Sequence, residues 1–566
     1  MEEGRMDGER GDGDLETLKP RLFPILYLTV CASIGGLVFG FYVGFIIARF
    51  GMLTNDNSIL HETYKTGLVG AIVGAAAGGL TNDCVGRKSS ILIADTLVFI
   101  GGVLLKLISF GDEYCLDSMG NTFIALGVGM ASMTSPLYIS EFSPPKLRDT
   151  FVSINFIFYG VGKLAFFFLY IDSVRTANHI IALAGIPALF QFCLMFSFPE
   201  PPMWLYKKDQ EVDAIKALKN IYTCCEVGKE YDVFRLSIRR EAAAEDEISY
   251  SGRNIFCRIR SALSSPSVRK QFVVGTALQI VQQLVGTNAL IYCASSIRRM
   301  SGHGASNLKN DISFMKETLG ESHGMSSIVS GFFCTLCLVA GYGKRKILCW
   351  SIYCMLAFAV CLSFMYIVSP NTTEFVSWSE STIHFKNNTC LSYLAAPDAD
   401  SWDCLTCLGA STGCGFCRGT HNNILGQSSG ACLDVEPNGT SQACSAKNRS
   451  WSTKKCEYNV FKLPVLMSYH YYAFFYSISL EIIPWIMNSQ MYPTEVRGIY
   501  GGIAAVAYWT SFLIIILSSF FLTKIGGPLL VFLLISLFCF FASWLIKLFV
   551  PENVSFFISA RAKKGY

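Results

Sequence analysis

The chain has 566 residues, of which 52% are hydrophobic and 16% charged, with a mean hydropathy of +0.40. So apolar a composition excludes an ordinary soluble protein of this length and points to a membrane protein. The net charge of +4 is small for the size and gives no case for nucleic-acid binding.

Residues 1–22 are polar and acidic-rich and end in Lys19, Pro20 and Arg21, which is not the pattern of a cleavable signal. The first apolar helix is then expected to serve as its own insertion signal, with 1–22 as a cytoplasmic tail. A run of roughly 20 apolar residues spans a bilayer, and about twelve such runs follow. They lie near 24–47, 66–82, 90–109, 119–139, 151–172, 179–198, 271–296, 324–342, 347–368, 464–490, 499–523 and 527–550. The expected fold is an all-α membrane protein of two six-helix halves plus a small disulfide-rich extracellular insertion. Residues 23–205 form the first half and 206–270 a cytoplasmic linker of mixed charge and helix-forming sequence, as in Glu211 to Lys219. Residues 271–368 carry helices 7–9, 369–463 the insertion, 464–550 helices 10–12 and 551–566 a second cytoplasmic tail.

Short loops rich in Lys and Arg face the cytoplasm. Arg87 and Lys88, Lys146 and Arg148, and Lys344, Arg345 and Lys346 all fall on one side, so an even helix count puts both termini there. The expected location is the plasma membrane. Two six-helix halves joined by a linker follow the parallel-repeat plan of many secondary transporters.

The insertion at 369–463 carries Cys390, Cys404, Cys407, Cys414, Cys417, Cys432, Cys444 and Cys456. An even set of cysteines in a polar extracellular segment reads as a disulfide framework of undetermined connectivity. Zinc is the alternative for the two CxxC pairs, but their separation is short for a ribbon and the compartment oxidising. Asn371, Asn387, Asn438 and Asn448 begin glycosylation sequons, and the segment offers a surface to an extracellular protein partner. Asn553 begins another, on the cytoplasmic side.

In helix 7, Gln282, Gln283 and Asn288 put three amides into an apolar run. Unpaired, each is costly in hydrocarbon, so the group is expected to face a cavity that takes a polar ligand; the alternative is hydrogen bonding between helices. One smooth helical face cannot hold all three, and a break at Gly286 would bring them together. Lys163 in helix 5 and Glu481 in helix 10 are the other expensive groups. Either they face the central cavity as a pair between the halves, or each meets a local partner such as Tyr159 or Asn488. No hydrolase, metalloprotease or phosphate-loop motif appears, so neither an enzyme nor a cofactor or metal is expected.

Several ordered motifs carry a resemblance. Gly35, Gly36, Phe39, Gly40 and Gly44 are similar to GGxxFGYDxG, and Gly79, Asp83, Gly86, Arg87 and Lys88 to GxxxDRxGRK with Cys84 for its first arginine. Gly127, Gly129, Ser132, Pro136, Tyr138, Glu141 and Arg148 follow in helix 4 and its exit. Then come Pro199, Glu200, Trp204 and Leu205, with Met203 for an arginine, the QQxxGxN of helix 7, and Pro484, Trp485, Asn488, Ser489, Tyr492, Pro493, Arg497 and Gly498. From about Phe23 to Glu552 the chain resembles the sugar porter family of the major facilitator superfamily. The cysteine-rich loop between helices 9 and 10 makes it most similar to proton-coupled myo-inositol cotransporters, and its CxxC spacing is also similar to a plexin-semaphorin-integrin module.

The resemblance implies a transporter of a polyol or sugar, myo-inositol first, moved with protons by alternating access. It places Gln282, Gln283 and Asn288 on the substrate with Trp485 closing over it. It assigns Asp83, Arg87, Glu141, Arg148 and Glu200 to a charge network that closes the cytoplasmic gate, loosened here by Cys84 and Met203. The helix 1 and helix 4 positions that hold an Asp and an Arg in proton-coupled relatives read Tyr42 and Asn121, and a helix 5 glutamine aligns with Phe156. Coupling would then fall to Glu481 and Lys163. The competing readings are a facilitative hexose uniporter and a non-transporting sensor or adhesion protein on the same scaffold.

Overall fold

The computed structural model describes residues 21–51, 58–106, 113–144, 146–169, 180–221, 266–293, 296–297, 300, 322–368, 375–385, 388–396, 402–410, 413–422, 428–436, 439–453, 456, 462–493 and 496–550. The expected tails, most of the linker, and Asn371, Asn387, Asn438 and Asn553 lie outside the described residues.

The first six spans are α1 (Leu22–Gly51), α2 (Ser58–Cys84), α3 (Arg87–Lys106), α4 (Glu113–Phe142), α5 (Arg148–Leu169) and α6 (Gly185–Phe196), the last entered through a 3-10 turn at Ala182–Ala184. Two short helices, Pro202–Lys207 and Glu211–Ile221, lead into the linker. The second set is α7 (Pro266–Leu284), α8 (Ser322–Val339), α9 (Lys344–Val368), α10 (Lys462–Ser479) and a final helical stretch, Arg497–Phe549. That stretch divides at Gly527, whose φ of 66° suits glycine and which is followed by Pro528, into spans α11 (Arg497–Ser519) and α12 (Ile525–Phe549). Among the described residues, seven helices are long and apolar enough to cross a membrane, with two shorter apolar helices at Ala182–Phe196 and Gly324–Val339.

Glycines let spans pack backbone to backbone where lipid supplies no hydrophobic drive between helices. A Cβ at Gly40 would collide with the Tyr159 carbonyl, so α1 and α5 touch along their main chains. The halves meet along two seams, α5 against α8 and α2 against α11.

Two spans are interrupted at mid-depth. α7 stops at Leu284 and resumes as a 3-10 turn, Thr287–Cys293, and α10 stops at Ser479 and resumes as Ile483–Asn488. Broken helices survive in a bilayer when protein or a polar cavity satisfies the freed backbone groups, and here the Tyr472 hydroxyl donates to the Val285 carbonyl at 2.6 Å.

The insertion folds as a small module. Its sheet has the order β1-β3-β2-β4, with β1 (Phe375–Val376) parallel to β3 (Ser428–Asp434), and β2 (Cys414–Asn422) antiparallel to both β3 and β4 (Trp451–Ser452). Disulfides join Cys390 to Cys414, Cys404 to Cys456, Cys407 to Cys432 and Cys417 to Cys444. All eight sulfurs are oxidised in pairs, which leaves no thiolate for zinc. Asn448 is exposed with a φ of 52°, at the end of a turn.

Candidate functional site

The amide group lies at the break in α7. Gln282 and Gln283 end the helix, and the turn at Gly286 brings Asn288 back so that its Nδ2 donates to Gln283 Oε1 at 2.9 Å. All three side chains are buried. Gln282 Oε1, Gln283 Nε2 and both amide atoms of Gln279 have no protein hydrogen-bond partner. A buried polar atom left unmatched costs about 1–3 kcal/mol, so this group has capacity for further polar partners. Gln279 was not singled out from sequence, although its place one turn before Gln282 and Gln283 put it on their face.

Aromatic rings from both halves close over this group. Trp485, on the continuation of α10, is 1% exposed, with its ring 5.8 Å from Phe39, 6.4 Å from Phe156 and 5.0 Å from Tyr508. Phe39 also meets Tyr159 at 4.8 Å and Trp509 at 5.5 Å, so α1 and α5 face α10 and α11 through rings. Tyr476 stands beside Gln282, and Tyr508 beside Gln283. Tyr42 and Asn121 are brought together against Gly67 of α2, where α1, α2 and α4 meet.

Of the two arrangements open for Lys163 and Glu481, the structure has the pair. Lys163 Nζ donates to Glu481 Oε1 at 2.5 Å, with side-chain exposures of 2% and 6%. The ammonium also lies 4.8 Å from the centre of the Tyr159 ring. Asn488 instead donates to the Gly501 carbonyl at 3.2 Å.

At the end of the bundle bearing the short basic loops, the halves are pinned together. Arg87 ion-pairs with Glu141 at 2.9 Å and Asp83 at 3.4 Å, and donates to the Asn82 carbonyl at 2.8 Å. Arg497 reaches Glu141 from the second half at 3.6 Å. Asp83 accepts from the backbone N–H of Gly498 at 3.2 Å and of Ile499 at 2.9 Å, which caps the N-terminus of α11 from across the interface. Asp149 binds Lys344 at 2.7 Å and Gln490 at 2.9 Å, both from the second half. These contacts cross between the halves with Cys84 and Met203 standing where the resemblance has arginines.

Glu200 accepts from the backbone N–H groups of Lys88 at 2.9 Å and Ser89 at 3.0 Å, and so caps α3 inside the first half, within the field of Arg87. Arg497 reaches Glu141 from the second half, and Arg148 begins α5. Gly86, at φ 123°, opens α3 and lies against the Glu200 carboxylate, which the fold and not the local sequence brings there.

Gly79 and Gly502 meet across the interface, where a Cβ on Gly79 would lie 2.9 Å from the Gly502 Cα. Gly502→Val is therefore expected to hold the basic end open. Alkylation of a cysteine introduced at Ser489, buried and bonded to Ser140 in the closed form, should accelerate in this variant; an unchanged rate would contradict the close-approach account.

The family model described as "Sugar (and other) transporter" matches residues 28–385 and 449–559. The interval that it skips falls within the disulfide module. The chain is 34% identical over 540 residues to "Probable inositol transporter 2" of Arabidopsis thaliana, covering 94% of this chain and 89% of that protein. It is 29% identical over 516 residues to the human "Proton myo-inositol cotransporter", covering 86% and 74%. Among solved structures, the proton:xylose symporter XylE, of the major facilitator superfamily, superposes with a TM-score of 0.62 at 19% identity, covering 94% of this chain and 96% of XylE.

Proposed function

Because this chain belongs to the sugar transporter family of the major facilitator superfamily, we propose that it is a secondary transporter that moves a polyol, myo-inositol, with protons across the plasma membrane by alternating access. It is a carrier and not an enzyme. The observation that carries the reading is the buried amide group at the α7 break, with unmatched atoms on Gln279, Gln282 and Gln283. A polyol must exchange its water shell for a dense set of donors and acceptors, and amides offer both from one side chain. Trp485 supplies an apolar face for the carbon ring, and Phe156 narrows the first half's side.

The Arg87, Asp83, Glu141 and Arg497 cluster is the cytoplasmic gate in its closed form, with Asp149 and Lys344 as a second latch. In this orientation both termini are cytoplasmic. The disulfide module is extracellular, glycosylated at Asn371, Asn387, Asn438 and Asn448, and available to an extracellular protein partner.

Thermal unfolding of the purified protein with a ligand series tests the substrate. Myo-inositol should raise the midpoint and its deoxy analogues progressively less, since a ligand bound to the folded state stabilises by mass action. Stabilisation by hexoses alone would favour facilitative hexose transport, a reading supported by the uncharged pair Tyr42 and Asn121.

A further inference from the structure

We propose that Glu481 is the proton-binding group of the transport cycle and Lys163 its counter-ion, so that the coupling site spans α5 and α10 across the interface of the halves. This deepens the reading of proton-linked polyol transport and rests on it.

The geometry supplies the reason. Lys163 belongs to the first half and Glu481 to the second, and their 2.5 Å contact is buried in the middle of the bundle. Alternating access moves one half against the other, so such a contact cannot persist unchanged through the cycle. Separated in a low-dielectric interior, the two charges must be rehydrated, protonated or given new partners. Glu481 also lies in the interruption of α10, between Ser479 and Ile483, where its N–H bonds five residues back to the Tyr476 carbonyl at 3.1 Å instead of keeping the α-helical spacing.

The substrate group and the ion pair share neighbours. Among the described residues, the titratable groups set against the pair include three phenols: Tyr159 on α5, Tyr476 on α10 and Tyr508 on α11. Tyr476 also stands beside Gln282, and Tyr508 beside Gln283. From α1, Gly44 lies against the Lys163 carbonyl, and from α8 Gly324 and Ile328 lie against Leu164 and Gly160. Among the described residues, the other buried carboxylates on the spans include Asp95, on α3, which packs on α2, α4 and α6 of its own half, and Glu141, which is held by Arg87 and Arg497 at the basic end.

This arrangement gives a coupling rule. Without substrate, carboxylate and ammonium neutralise each other and the halves can close. A proton taken from outside converts the Glu481 carboxylate to the acid and removes the charge that Lys163 pairs with in the structure. Closure around the buried ammonium is then less favourable until polyol hydroxyl oxygens accept from it, so proton and polyol cross together. Inside, the polyol leaves, the acid gives its proton to water and the pair re-forms. Each cycle moves one polyol, one proton and one positive charge.

The test uses the full chain in proteoliposomes with a trapped pH dye, alongside counterflow of radiolabelled myo-inositol. External inositol should acidify the lumen with the parent protein. Glu481→Gln should abolish the acidification while counterflow persists, whereas Lys163→Met, which also removes a donor to the polyol, should abolish the acidification and slow counterflow. Acidification that survives in Glu481→Gln overturns the proposal. So does a parent that exchanges inositol without moving protons, although polyol transport then stands. A parent with no counterflow removes the transport reading itself. Should Glu481→Gln lose both activities, the exchanged pair Lys163→Glu with Glu481→Lys decides. Recovery of counterflow and acidification together supports the proposal, and recovery of neither reduces the pair to a structural contact.

Discussion

Gln283→Leu should abolish saturable myo-inositol uptake while the protein still reaches the membrane. Gln283 is fully buried; its Oε1 holds Asn288, and its Nε2 has no protein partner. Leucine keeps much of the volume but removes donor and acceptor together, and it also releases the Asn288 amide. Each hydrogen bond lost to a buried partner is worth about 1–3 kcal/mol, or roughly fivefold to 150-fold in affinity. Two such losses should raise the apparent KM by at least about thirtyfold. Gln279→Leu removes unmatched atoms without breaking a bond to Asn288, so a smaller rise is expected. Uptake by Gln283→Leu with a parental KM would show that this amide group does not hold the substrate.

Arg87→Ala should open the basic end. Arg87 is 3% exposed and serves Glu141, Asp83 and the Asn82 carbonyl at once. Its loss leaves two carboxylates close together in a buried place. Breaking a buried ion pair from one side typically costs about 3–5 kcal/mol. Since Asp83 and Glu141 also bind Gly498, Ile499 and Arg497 of the second half, much of that penalty falls on the closed arrangement. Amide hydrogen exchange reads this directly. Protection over residues 496–502 and 82–90 should fall by about a hundredfold or more in Arg87→Ala. Arg87→Lys keeps the charge but not the fork that serves two carboxylates, and should fall between. Unchanged protection in Arg87→Ala would mean that this cluster does not hold the halves together.

The spans were legible because apolar runs of bilayer length leave little choice of structure. The break in α7 was legible for a related reason: three amides within seven residues need a common cavity, and Gly286 lets the backbone turn them to it. The basic end was legible only in its members. Asp83, Arg87 and Glu141 are drawn together as their motifs implied, yet sequence does not say which carboxylate faces which half. Glu200 caps α3 because the chain after α6 returns to that helix terminus. Lys163 and Glu481 stood out as expensive charges, but their contact depends on how α5 and α10 are set across the interface, which no local pattern encodes. The module's cysteines announced disulfides; eight of them allow 105 connectivities, and only the packing of the four strands selects one.

The central claim is tested most directly by radiolabelled myo-inositol accumulation in proteoliposomes of the purified protein, with an inward proton gradient imposed and then collapsed by a protonophore. Proton-linked polyol transport predicts accumulation above the external concentration while the gradient lasts and a fall to equilibrium when it is collapsed. Entry that stops at equilibrium under the gradient, or no entry of myo-inositol at all, would contradict it.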